Sequence, residues 1–209
     1  MNSATLMNHG QTNRLLGYPL DARLLIINAD DFGMCHAVNE AIFHALQNGV
    51  LRTTTLMAPC AWALQATHFL VDHPDIPFGV HLTAISEWSH YRWGPLTSRD
   101  KVPSLIDQAG YFHRFEAMPA LLAQVRLDQL ELEWRAQIEA VLAAGLTPTH
   151  LDWHALRIGD RADIADLMLR LAREYGLALR VRGRYWTETV QSQGLPCNDY
   201  DFLDSYKLA

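Results

Sequence analysis

Short apolar stretches alternate with amphipathic stretches along the chain, and this alternation limits the possible folds more than any other feature. The predicted strands are residues 24–27, 53–57, 78–83, 147–153 and 177–181. Segments with helical spacing of apolar residues separate most of them. Strands that alternate with helices usually pair in parallel, so the sequence predicts an α/β domain with a parallel sheet.

The helical pattern is clearest in two of the intervening segments. One has apolar side chains at intervals of three and four residues: Val38, Ala41, Ile42, Ala45 and Leu46. The other extends from Ile164 to Tyr175 with the same spacing. Gly49 and Gly176 follow these segments, at the position where helix C-termini favour glycine. Both segments are therefore predicted helices with defined ends.

Periodicity is lost between residues 84 and 112, which include Trp88 and Trp93. A loop of this length inside a compact domain is usually functional. The tryptophans are suited to stack on sugar rings, and we assign both as candidate substrate-binding residues. The alternative is a small subdomain that packs its own tryptophans.

Composition excludes several classes of protein. The 209 residues include 17 Lys and Arg against 23 Asp and Glu, a net charge of −6, and 49% are hydrophobic. We expect a flexible leader over residues 1–20 and a single domain over 21–209. The chain lacks the basic excess that binds nucleic acid, a stretch long enough to span a membrane, and a signal peptide, so we expect a cytoplasmic protein.

Polar clusters lie at or near the ends of three predicted strands. They are Asn28 to Asp31, then His81, then His150 to His154. The carboxyl ends of parallel strands meet at one edge of a sheet, where ligands bind. Taken singly, each cluster has an ordinary explanation: a helix cap, a core histidine or a solvated loop. Together they predict a common site.

The residue types in these clusters are typical of a metal site. On an extended strand His150, Asp152 and His154 share one face. Imidazoles and a carboxylate are the ligands of open catalytic metal sites, and Asp31, His81 and His150 could supply them. The neighbouring Asp30 could then act as a general base on bound water.

The same residues resemble the YdjC-like carbohydrate deacetylases, a family that includes the chito-oligosaccharide deacetylases. Three segments carry the resemblance: LIINADDFG at 25–33, GVHLT at 79–83 and THLDWH at 149–154. Flanking stretches, such as YRWGPL at 91–96, are similar too. The likeness covers about residues 15–205.

This resemblance implies a distorted (β/α) barrel of the polysaccharide deacetylase type and hydrolysis of an N-acetylated sugar. It implies that Asp31, His81 and His150 bind one divalent ion and that Asp30 is the catalytic base. The ligand types favour Zn²⁺, whereas the family suggests Mg²⁺.

The chain departs from the family pattern at two places. Family members often continue as HxDxHxH, but residue 156 is Leu156, and nothing after Val181 matches a further histidine-containing segment of the family. We therefore expect a barrel that is incomplete at the C-terminus. His154 becomes the candidate catalytic acid, and Asp152 a candidate substrate-binding residue.

Several alternatives remain open at this point. A homo-oligomer is one way to cover the open edge of an incomplete barrel. The metal centre could hydrolyse another bond, such as a phosphoester, although no cluster of Arg and Lys lies near the motifs. The protein could also be an inert relative that binds sugar or metal.

Overall fold

The computed structural model describes residues 11–199, and its elements follow the predicted alternation. The strands are β1 (Asn28–Phe32), β2 (Thr53–Leu56), β3 (Phe78–Thr83), β4 (His150–His154) and β5 (Ala178–Leu179). The helices are α1 (Gln11–Leu15), α2 (His36–Asn48), α3 (Ala63–Asp72), α4 (Met118–Gln124), α5 (Leu127–Ala143), α6 (Ala162–Tyr175) and α7 (Arg184–Ser192). Short 3₁₀ turns occupy Pro103–Leu105, Phe115–Ala117 and Ile158–Asp160.

All five strands form one parallel sheet in the order β1-β2-β3-β4-β5. The predicted α/β class is therefore confirmed. Within residues 11–199, β1 and β5 are the two edges of an open sheet. The distorted barrel remains an expectation that the described residues do not test.

The first strand begins later than its apolar pattern predicts. Leu24, Leu25 and Ile26 precede β1, and their exposed fractions are 44%, 75% and 75%. Pairing with the segment that leads into β2 starts at Ile27, whose carbonyl accepts a hydrogen bond from the Arg52 amide at 3.1 Å. The register with β2 therefore determines where β1 lies, and the prediction of a buried strand at 24–27 was wrong.

Helix α5 packs against β3 and fixes the end of that strand. Its Gln137 is fully buried, accepts a hydrogen bond from the Thr83 amide and donates one to the Thr83 carbonyl. One turn earlier, Glu133 accepts hydrogen bonds from the Leu96 and Thr97 amides. The same helix thus anchors β3 and the irregular segment that follows it.

The predicted helix ends agree with the structure. Helix α2 ends at Asn48 before Gly49, and α6 ends at Tyr175 before Gly176, which has a left-handed φ of 67°. The first ten residues of the expected leader lie outside the described residues. None of the described helices is long and apolar enough to cross a membrane.

Candidate metal centre

Asp31, His81 and His154 converge at the carboxyl end of the sheet. They come from β1, β3 and β4, and one donor atom from each lies within 4.8 Å of the others. Asp31 Oδ1 is 2.9 Å from His154 Nδ1 and 3.3 Å from His81 Nε2. Both imidazoles are thus directed at a single carboxylate oxygen.

Irregular backbone places the side chain of Asp31 in this cluster. Its φ is 67°, and the register between β1 and β2 shifts between Ala29 and Phe32. Aspartate occupies the left-handed region more readily than most residues, because its short polar side chain can bond locally. The bulge aims Asp31 differently from the neighbouring Asp30.

His81 is held by a buried carboxylate on the neighbouring strand. Its Nδ1 lies 2.5 Å from Asp152 Oδ1, and the side-chain exposures are 3% and 2%. Arg180, just after β5, donates from Nε to Asp152 Oδ2 at 2.7 Å. Burial alone would lower the pKa of His81, but the attraction of Asp152 and the hydrogen bonds raise it to about 10.

His154 lies between two carboxylates. Its Nδ1 faces Asp31, and its Nε2 lies 2.8 Å from Glu87 Oε2. Burial opposes the charged imidazole, yet the hydrogen bonds to Asp31 and Glu87 raise the pKa of His154. Burial likewise opposes the Asp31 carboxylate, but hydrogen bonds from His154 and His81 hold its pKa below the usual range.

The three donor atoms fit a divalent ion. Donors about 2.0–2.2 Å from one tetrahedral ion lie roughly 3.3–3.6 Å from each other. The distances of 2.9 and 3.3 Å from Asp31 Oδ1 are close to that range. A set of two imidazoles and one carboxylate matches the three-ligand centres that leave a position for water. The donor atoms of all three residues lie within 4.8 Å of one another.

His150, which was expected to be a ligand, is not in this group. It is the first residue of β4 and pairs with Gly79, whereas His154 is the last and pairs with Thr83. Its ring fills the space that a side chain at position 79 would need, because a Cβ added to Gly79 would lie 2.6 Å from His150 Nε2. His150 and His154 share one face of the strand, but only the strand end reaches Asp31.

Asp30 lies beside the cluster with a half-exposed side chain. Its Oδ1 accepts hydrogen bonds from Asn28 Nδ2 and from an Arg180 Nη atom, each at 2.7 Å. Thr55 Oγ1 lies at 3.4 Å from the same oxygen. Within residues 11–199 all these contacts use Oδ1 and leave Oδ2 available as a proton acceptor.

The expected substrate-binding residues occupy three different environments. Asp152 is buried between His81 and Arg180, so it does not reach a substrate in this structure. Trp93 is 4% exposed, and its Nε1 donates to the Ile85 carbonyl at 2.7 Å, so it packs in the core. Trp88 is 56% exposed. It lines a cavity of about 350 Å³ together with Met34, Cys35, Ser89, His90 and Tyr91.

Sequence reasoning missed Glu87 and Arg180. Arg180 follows the fifth strand, so the rule that located the other clusters could have found it. Glu87 lies in the irregular segment after β3, where no periodicity points to it. Only the folded chain brings it to His154.

The chain matches known proteins over most of its length. It matches the family described as YdjC-like protein over residues 24–208. It is 34% identical to a carbohydrate deacetylase of Thermoanaerobacter pseudethanolicus, with 76% of this chain and 60% of the relative aligned. It is 40% identical to a carbohydrate deacetylase of Thermus thermophilus, with 83% and 57% aligned.

Two further matches agree with these. A chitooligosaccharide deacetylase of Yersinia enterocolitica is 32% identical, with 84% of this chain and 64% of the relative aligned. A crystal structure of a candidate cellobiose-phosphate cleavage protein of Enterococcus faecalis superposes with a TM-score of 0.73 at 33% identity, covering 86% of this chain and 69% of that one. The chain thus spans about three fifths of the length of these three deacetylases.

Proposed function

The chain belongs to the YdjC-like family, and from this premise we propose that it is a carbohydrate deacetylase. The reaction is hydrolysis of the acetamide group of an N-acetylated amino sugar, with release of acetate. The observation that supports this most directly is the convergence of Asp31, His81 and His154 beside Asp30. The names of the aligned relatives agree with the proposal.

The proposed ligands of one divalent ion, Zn²⁺ or Mg²⁺, are Asp31, His81 and His154. His154 takes the place first expected for His150 because its Nδ1 lies 2.9 Å from Asp31 Oδ1. As a ligand with its other nitrogen against Glu87, it would not be the catalytic acid expected from the sequence. Two imidazoles favour Zn²⁺ over Mg²⁺. When bound, such an ion polarises the substrate carbonyl and lowers the pKa of a bound water.

The proposed general base is Asp30. Arg180 and Asn28 both hold Oδ1, which fixes the carboxylate and leaves Oδ2 to accept a proton from the attacking water. Asp152 accepts the Nδ1 proton of His81 by a hydrogen bond and so leaves Nε2 as the nitrogen that would bind the ion next to Asp31. Arg180 offsets part of the negative charge of Asp30 and Asp152.

The proposed sugar site is the cavity next to Trp88. Met34 and Cys35, which line the cavity, are the third and fourth residues after Asp31. Two residues of the cavity wall therefore follow a proposed metal ligand closely in the chain. The exposed indole of Trp88 offers an apolar face on which a sugar ring stacks. Hydrolysis of a phosphoester is less well supported, because Arg180, a cation beside the site, already binds two carboxylates.

An acetate-release assay tests this proposal. The chain is incubated with N-acetylated chito-oligosaccharides of two and three sugars, with Zn²⁺ or Mg²⁺ and with a chelator. We expect acetate release that the chelator abolishes and that His154→Ala abolishes as well. A protein that holds one equivalent of metal but releases no acetate would refute the proposal and favour an inert relative or another reaction.

A further inference from the structure

Glu87 lies in direct contact with a proposed metal ligand. Its Oε2 is 2.8 Å from Nε2 of His154, and the side-chain exposures are 27% and 7%. The residues before Glu87 are fixed: Ile85 accepts the Trp93 indole hydrogen bond, and the Ser86 amide donates to the His113 carbonyl at 3.0 Å. The glutamate is therefore held on a well-anchored stretch of backbone.

The contacts of His154 repeat those of His81. In His81, Nε2 faces Asp31 and Nδ1 meets the Asp152 carboxylate. In His154, Nδ1 faces Asp31 and Nε2 meets the Glu87 carboxylate. Each imidazole thus has one nitrogen towards the shared oxygen and the other against a second carboxylate.

This arrangement determines which nitrogen can bind a cation. An imidazole that binds a metal keeps one N–H, and because Asp31 is itself a proposed ligand, that proton stays on the nitrogen that faces the second carboxylate. The other nitrogen then presents its lone pair to a metal, in an orientation that the hydrogen bond fixes. The structure thus assigns opposite nitrogens to the two rings, Nε2 in His81 and Nδ1 in His154.

We propose that Glu87 is a positioning residue, which holds His154 so that Nδ1 is the atom that binds a divalent cation. The inference rests on the proposed function, because it concerns the same metal site. It adds a residue from the irregular segment after β3 to the support of that site. It also requires that an uncharged side chain can replace Glu87, provided that it accepts the hydrogen bond from His154 Nε2.

Metal binding by three variants tests this role separately from catalysis. Glu87→Ala removes the acceptor, and Glu87→Gln keeps one because its amide oxygen can accept the Nε2–H bond. Glu188→Ala, an exposed glutamate on α7 paired with Arg184, is the matched control. Zn²⁺ affinity is measured by competition with a chromophoric chelator, and ligand geometry by the visible absorption of the Co²⁺-loaded proteins.

We expect Glu87→Ala to weaken Zn²⁺ binding by about 10- to 100-fold, the usual cost of losing such a supporting hydrogen bond. Glu87→Gln and Glu188→Ala should stay within about threefold of the parent chain. The Co²⁺ spectrum should change in Glu87→Ala only. If Glu87 had a merely structural role, Glu87→Gln would not restore both the Zn²⁺ affinity and the Co²⁺ spectrum of the parent chain.

The outcomes separate this inference from the proposed function. If His154→Ala abolishes binding while Glu87→Ala binds like the parent, Glu87 has no positioning role and the proposed function stands. If Glu87→Ala weakens binding as expected but the loaded parent releases no acetate, the positioning role stands and the proposed function fails. A parent chain that binds neither Zn²⁺ nor Mg²⁺ overturns both.

Discussion

Replacing His154 and His150 separately by alanine distinguishes the ligand set in the structure from the set expected from the sequence. The two histidines lie on one face of β4, but only His154 has a nitrogen within 2.9 Å of Asp31 Oδ1. His150 instead lies over Gly79, and its Nδ1 is 2.9 Å from Thr149 Oγ1. The structure therefore predicts that only His154→Ala removes a metal ligand.

The expected loss of Zn²⁺ affinity in His154→Ala follows from the part of the binding free energy that one ligand contributes. Zinc centres with four protein ligands bind with roughly 10–16 kcal/mol, or about 2.5–4 kcal/mol per ligand. His154→Ala should therefore weaken Zn²⁺ binding by about 10²- to 10³-fold. Burial lowers the pKa of His150, so its ring is neutral at pH 7.5 and its loss removes no charge. His150→Ala should change the affinity by less than about threefold.

Both variants are assayed at pH 7.5 by chelator competition, with metal content measured on the purified proteins. Far-UV circular dichroism checks that each variant is folded, because the His154 side chain is buried. The reasoning is wrong if His150→Ala loses Zn²⁺ by 100-fold or more while His154→Ala binds like the parent. That result would restore the set Asp31, His81 and His150.

Three further predictions concern the base, the pH dependence and the tryptophans. Asp30→Asn should keep Zn²⁺ affinity within about threefold but lower kcat by about 10²-fold or more, because an amide cannot accept the water proton; equal losses in both assays would contradict the assignment. The pKa of His81 is about 10 in the metal-free fold against an ordinary 6.5, so its stabilising contribution is complete below pH 6.5 and is lost as pH rises through 10. The melting temperature of the metal-free protein should therefore fall as pH rises over that range. The rise in melting temperature on addition of Zn²⁺ should become larger, because Zn²⁺ binds neutral imidazoles. Calorimetry at pH 6.5, 8 and 9.5 measures both pH dependences. Trp88→Ala should raise KM about 2- to 10-fold with little change in stability, since stacking contributes about 0.5–1.5 kcal/mol. Trp93→Ala should instead destabilise the fold by about 3–5 kcal/mol, as judged by urea unfolding, and a reversal of these two effects would exchange their roles.

Local patterns were sufficient for most of the fold. Helices α2 and α6 and strand β3 lie where periodicity placed them, because each pattern reports which side chains of one segment must be buried. Gly176 ends α6 in the left-handed conformation that glycine adopts at little cost. The family resemblance, which depends on three ordered motifs, is confirmed too.

Strand β1 shows where a local pattern is insufficient. Residues 24–27 are as apolar as a buried strand, but β1 begins at Asn28, where β2 offers a partner. Apolar character reports a preference for burial, whereas strand bounds depend on pairing with a distant segment. Pattern alone cannot supply that pairing.

The site divides in the same way. The sequence by itself indicated that Asp31, His81 and the HxDxH segment belong to one edge of a parallel sheet, because alternating strands and helices favour parallel strands, whose carboxyl ends share one edge. Only the tertiary structure decided that His154 rather than His150 meets Asp31, that Asp152 and Glu87 bond to the imidazoles, and that Trp93 lies in the core. These contacts depend on register and loop path to within a few ångströms, and register is determined by packing between segments that are far apart in the chain.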